Sequence, residues 1–135
     1  MYLFKTSGAT FNSVIKHEKH AFSGKPKDWH VGELVLVSKN KLDCEYKEKQ
    51  IQYTMKLRDI RPLLPAEAQK YWPGTEGRWK YLIVCDSTTA IQPFNLDDVL
   101  GEECKEYSPI MTFKKVSRHH EGIIEGYLRK TKSLD

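Results

Sequence analysis

Two hydrophobic periods alternate along this chain, and neither runs for long. Residues 2–6 are a short apolar, partly aromatic run, which predicts a first strand. Gly8 turns the chain, and Thr10 is placed to cap a helix whose inward face carries Phe11, Val14 and Ile15. That helix fades in the cluster Lys16, His17, Lys19 and His20. Residues 22–29, broken by Gly24 and Pro26, read as irregular. Residues 32–39 make the clearest strand. The unbroken Leu34-Val35-Leu36-Val37 run predicts burial on both faces, as in a small barrel closed over by a helix.

After a polar loop over 39–49, residues 50–61 alternate strictly. Ile51, Tyr53, Met55 and Leu57 fall on one face and Gln52, Thr54, Lys56 and Arg58 on the other, the pattern of a half-exposed strand ended by Pro62 and Pro65. One or two helical turns follow over 66–71. A strong strand covers 78–86, a weaker one 90–94. Asn95 is a natural N-cap, with Asp97 and Asp98 in the first turn of a short helix reaching Leu100. A last strand falls over 111–116. Ser117 then caps a closing helix with Ile123, Ile124, Tyr127 and Leu128 at helical spacing. The sum is an α+β domain: a small mixed β-barrel flanked by an N-terminal helix, short helices and a C-terminal helix. Regular βαβ alternation, a GxGxxG turn and a Walker-type loop are all missing, which argues against a doubly wound sheet.

Composition narrows the classes. A chain of 135 residues with 39% hydrophobic and 30% charged residues predicts one soluble domain, 1–135. The formal charge of +4 is compatible with nucleic acid without requiring it. Cys44, Cys85 and Cys104 have no CxxC spacing, so neither a disulfide framework nor a zinc site is expected, and a reducing cytoplasm is. No apolar run has membrane-spanning length, and the N-terminus lacks a signal peptide's apolar stretch. His119 and His120 would point about 100° apart on a helix, poorly placed to share a metal, and read as first-turn surface residues. Cys85, continuing an apolar strand, reads as an inert core thiol despite Asp86 and Ser87 beside it. No catalytic constellation, metal site or cofactor is predicted.

The densest signal is aromatic. Tyr71, Trp72, Trp79 and Tyr81 lie within eleven residues, broken by Pro73 and Gly74. Trp79 and Tyr81 share one strand face and are assigned to the core, whereas Trp72, held in the loop, is assigned to a ligand-facing surface. Any base offers a stacking face. Flipping one costs a few kcal/mol, and each aromatic contact returns about 1–3 kcal/mol, so two rings offset the cost.

In order, "YLFKTSG", "WHVGELVLVSKN", "KQIQYTMKLRDIRPL", "YWPGTEGRWKYLIV", "PFNLDDVL" and "SRHHEGIIEGYLRK" resemble the PUA-like superfamily, and within it the EVE and YTH branches. The resemblance implies a small β-barrel that binds rather than catalyses, inspecting a flipped, commonly methylated base in an aromatic pocket. By position it places one wall on Phe22, with Trp29 as rival, and the other on Trp72. Phe22 stands where YTH proteins carry tryptophan, which favours a general stacking pocket over a methyl-selective cage. Polar residues at strand ends, Thr6, Ser7, Ser38, Asn40, Asp86 and Ser87, are candidate edge readers. Lys114, Lys115 and Arg118 are the first choice for phosphate contact. Lys25 and Lys27, with Lys16 and Lys19, are the second. Because EVE-like modules serve as heads of modification-dependent restriction systems, DNA is slightly favoured over RNA as the partner. The alternatives are an RNA reader, an enzyme of the related ASCH branch, whose Gly-x-Lys-x-x-Glu-type motif is missing, or a protein-interaction module using the aromatic loop.

Overall fold

A computed structural model of the chain describes residues 1–75, 77–107 and 113–132. Its elements in order are β1 (Tyr2–Thr6), α1 (Gly8–His17), β2 (Lys19–Phe22), β3 (Leu34–Lys39), a 3-10 turn (Lys41–Asp43), β4 (Ile51–Pro62), α2 (Pro65–Tyr71), β5 (Tyr81–Phe94), α3 (Leu96–Leu100), a 3-10 stretch (Gly101–Tyr107), β6 (Phe113–Lys115) and α4 (Arg118–Lys132). The strands form a six-stranded sheet in the order β2-β5-β4-β3-β1-β6. It is mixed: β1 and β3 run parallel, joined by the α1 crossover, and the other pairs are antiparallel.

The sheet curls into a half-barrel. Its edge strands, β2 and β6, meet through side chains, with the Phe22 and Phe113 ring centroids 6.0 Å apart. Alternation along β1 sends Tyr2 and Phe4 to the concave core with Val35, Val37, Met55, Leu57 and Ile83, which Phe11 and Val14 of α1 close. Leu3 points the opposite way, into a second core with Leu36, Ile51 and Phe94 under α3 and α4. β3 is buried on both faces, as its continuous apolar run predicts.

Several expected boundaries shift for identifiable reasons. Ser7, not Thr10, is the α1 N-cap, and Thr10 sits in the first turn, its hydroxyl bonded to those of Thr6 and Ser7. β2 starts at Lys19, where the helix is expected to fade, and takes in Phe22, the first residue of the stretch expected to be irregular. A register shift between Ile51 and Tyr53 sends Ile51 to the outer core while Met55 and Leu57 stay inside, so the residues expected on one face of β4 divide between two. The two strands expected over 78–94 are one, β5, which keeps going through Ser87 at φ 57. Of the expected last strand, residues 111 and 112 lie outside the described residues. No helix among the described residues is long and apolar enough to cross a membrane.

Candidate functional site

β2 begins where α1 ends on Glu18, a non-glycine residue at φ 58. β5 anchors that turn: the Cys85 N–H donates to the Glu18 carbonyl at 2.8 Å, and the Thr88 hydroxyl donates to the Glu18 carboxylate at 2.7 Å. The antiparallel register then sets His20 opposite Ile83 and Phe22 opposite Tyr81. With period two, His20 and Phe22 share a face, and that face is enclosed.

His20 has no exposed surface, and neither ring nitrogen has a hydrogen-bond partner. Four rings box it in. Phe22 and Trp72 lie 5.2 Å away, Trp79 5.3 Å and Phe4 6.1 Å, three of them edge-on. Burial pushes the imidazole pKa down to about 4, so it is neutral at pH 7, with one nitrogen a donor and the other an acceptor. An uncompensated buried polar group costs about 1–3 kcal/mol.

The two tryptophans reach His20 from either side of one loop. Gly74 at φ +85 and Gly77 at φ +81 adopt backbone conformations that a side chain would strain. They turn the chain back so that the Trp72 and Trp79 rings meet edge to face at 5.8 Å. The Trp72 carbonyl accepts from the Thr75 N–H and hydroxyl, and Thr75 in turn accepts from the Arg78 N–H at 2.9 Å. Trp72 is 8% exposed and Phe22 3% exposed, so the two expected walls are brought to one histidine but stand closed. Trp79 stays with Trp72 in a small cluster with Ala21 and Leu82, while Tyr81 packs on the concave core. Trp29 packs on that core too and stacks on no other ring among the described residues.

Cations lie over the outer rings of this box. Lys19 Nζ is 4.6 Å and Lys70 Nζ 5.2 Å from the Tyr71 centroid, and Lys19 also donates to the Tyr71 hydroxyl at 3.2 Å, which lowers the phenol pKa. Arg78 stacks over Trp79 at 5.1 Å and Lys25 over Tyr81 at 5.8 Å. None of these four cations is in an ion pair among the described residues. Lys27 is exposed nearby in sequence.

The other expected phosphate ligands have different surroundings. Lys114 donates to the Glu106 carbonyl at 3.0 Å and lies over the Tyr107 ring. Lys115 and Arg118 line a cavity of about 600 Å³ together with Glu33, Glu121, Glu125 and the Met1 ammonium, which pairs with Glu33 at 3.1 Å. The expected edge readers also divide. Thr6, Ser7 and Asn40 meet at the end of β1, where the Asn40 N–H donates to the Thr6 carbonyl at 2.8 Å and the Asn40 side-chain oxygen is buried without a partner. Ser38 faces the outer side with Lys5. Asp86 is paired with Arg58, which holds its carboxyl low, and accepts from Ser87 at 2.9 Å. These six residues do not surround one pocket. His20 had a signal in the sequence, the i, i+2 spacing from Phe22, but it lies in the cluster where the first helix reads as fading.

No known family's sequence profile matches this chain, and no curated protein does. Two of the solved structures that match its fold do so across nearly its whole length. One is the crystal structure of ASCH from Zymomonas mobilis, at TM-score 0.58 and 10% identity, covering 93% of this chain and 93% of that one. The other is a tyrosine-to-phenylalanine mutant of the same protein, at TM-score 0.58 and 12% identity, covering 93% of this chain and 96% of that one. The fold of this chain is similar to that of these ASCH structures.

Proposed function

We propose that this chain is a nucleic-acid-binding module that takes one flipped base beside His20. The observation that carries the reading is the orphaned imidazole, fully buried inside four rings. Buried polar groups are almost always hydrogen-bonded, and a neutral histidine with one donor and one acceptor is matched to a base edge. In this reading the Trp72–Trp79 pair is a plug that the base displaces. Its faces then stack on Phe22 and Trp72, and its edge completes His20. Lys19, Lys25, Lys70 and Arg78 supply the phosphate contacts. A methylated base would bury more apolar surface against the same rings, which is why modified bases belong in the test. The ASCH-like fold supports nucleic acid in general. The preference for DNA comes from the EVE resemblance, and RNA enters the test on equal terms. A cytoplasmic setting accords with Cys44, Cys85 and Cys104 being free thiols.

The decisive experiment is a fluorescence binding screen of DNA and RNA oligonucleotides with and without methylated bases, at two salt concentrations. Binding should shift the tryptophan emission as the plug opens. Trp72→Ala should weaken affinity by about 1–3 kcal/mol while leaving the fold intact, and affinity should fall with salt. Unchanged affinity in folded Trp72→Ala would remove the base from this site, and salt-independent binding would point to a protein partner.

A further inference from the structure

On the opposite face of the sheet, between β1, β3, α3 and the 3-10 stretch, lies a cavity of about 220 Å³ with Leu3 and Leu96 among its apolar lining. Lys5 occupies a strand position that alternation assigns to the buried outer face, together with Leu3. It is 8% exposed, and its ammonium donates to the Tyr107 carbonyl at 3.0 Å. A buried ammonium is costly unless it is bonded, and Lys5 is bonded here.

The rest of the lining adds charge around it. Lys41 and Lys105, both exposed, bring two more ammonium groups to the cavity. Among the described residues Asp97 is the one carboxylate lining it, and Lys41 reaches it at 3.2 Å. Gln50 accepts the Leu96 N–H through its side-chain oxygen at 3.3 Å, and its amide nitrogen has no protein acceptor among the described residues. Three cations and a spare amide donor against one carboxylate select an anion. The volume is below the roughly 300–1,000 Å³ of sites for drug-sized ligands. It therefore admits the end of a molecule and not a strand passing through.

We infer that this cavity binds a phosphate monoester, with Lys5 and Gln50 inside and Lys41 and Lys105 at the mouth. The same chemistry is offered by a free nucleoside monophosphate and by the 5′-phosphorylated end of an oligonucleotide. The site is separate from His20 and stands whether or not that site takes a base.

Cys104 lines the cavity and is half-buried, which supplies a reporter. Its alkylation by iodoacetamide is followed by peptide mass in the full chain. Cys85, buried with its thiol pushed up to about 12, is the unreactive control. Probes are inorganic phosphate, a nucleoside 5′-monophosphate, the matching nucleoside, and one oligonucleotide with and without a 5′-phosphate. The monophosphate should protect Cys104 and the nucleoside should not. Lys105→Glu should weaken that protection about tenfold, and Asp97→Asn should strengthen it a few-fold by removing the competing carboxylate. Both substitutions are at the surface, so neither depends on Lys5 variants folding. Protection by the monophosphate alone assigns a free nucleotide, and protection by the phosphorylated oligonucleotide as well assigns a chain end. Equal protection by the nucleoside, no protection by any phosphorylated probe, or indifference to Lys105→Glu overturns the inference. Trp72→Ala should leave protection unchanged, which separates this result from the outcome at the base site.

Discussion

His20 and His120 are both buried, at 0% and 5% exposure, yet their polar atoms are treated in opposite ways. His120 Nδ1 meets the Tyr107 hydroxyl at 2.7 Å and the Ser117 hydroxyl at 2.9 Å. Ser117 N–H donates to the same Tyr107 oxygen at 3.1 Å, and Glu106 and Glu103 flank the ring at 3.4 and 3.7 Å. This network ties the 3-10 stretch to the start of α4, where Ser117 is the expected cap, its hydroxyl accepting the His120 N–H at 3.5 Å. It also corrects the surface role expected of both adjacent histidines: His119 is exposed at 71%, while His120 is a structural lock. His20 has four rings around it and no partner. A histidine bonded to its neighbours explains itself by packing. One whose bonds are missing marks a point where the fold carries a deficit, and a ligand can remove it.

The largest effect that separates the two should come from acid. The folded pKa of His20, about 4, lies below the ordinary 6.5, so between these values the unfolded chain binds the proton and the folded one does not. Stability from this group is fully present above about pH 6.5 and is lost as pH falls toward 4, a change on the order of 3 kcal/mol. Urea unfolding at pH 4 and pH 7 should show that loss in the wild type and a much smaller one in His20→Phe. Equal losses in both proteins would mean that His20 is solvated or partnered in solution.

Next in size is the cost of breaking the lock. His120→Phe leaves the Tyr107 and Ser117 hydroxyls short of a partner and should destabilise by about 2 kcal/mol, read as a lower urea midpoint at unchanged slope. A neutral outcome would erase the distinction between the two histidines. The smallest effect has the opposite sign. At pH 7.5, His20→Phe removes an unsatisfied group and should stabilise by about 1 kcal/mol while weakening oligonucleotide binding. A variant both less stable and unaltered in binding would return His20 to an ordinary core role.

Much of the fold is legible in the chain because its signals are local. The β3 run, the β1 alternation and the α4 spacing each place their residues without help from distant partners. β2 is different. It has four residues, two of them Lys19 and His20, and its strand character comes from pairing with β5 about sixty residues away. The α1 end gives no glycine or asparagine to mark it, because Glu18 adopts φ 58 under bonds from Cys85 and Thr88. β5 likewise runs through a positive-φ serine where a break reads more naturally. The expected site fared the same way. Phe22 and Trp72 do converge, but on a histidine with no motif around it, and the polar residues at the strand ends scatter because bulges and curl decide which way each end faces.

By itself, then, the sequence determined the α+β class, the barrel-like run of short strands and the turn after Trp72, since hydrophobic period and Pro-Gly punctuation are properties of neighbouring residues. Only the tertiary structure decided that His20 is enclosed without a partner, that His120 is locked, and that Lys5 looks into a cavity. Burial and hydrogen-bond satisfaction depend on groups brought together from far along the chain, and a residue's type says nothing of whether its partner arrives.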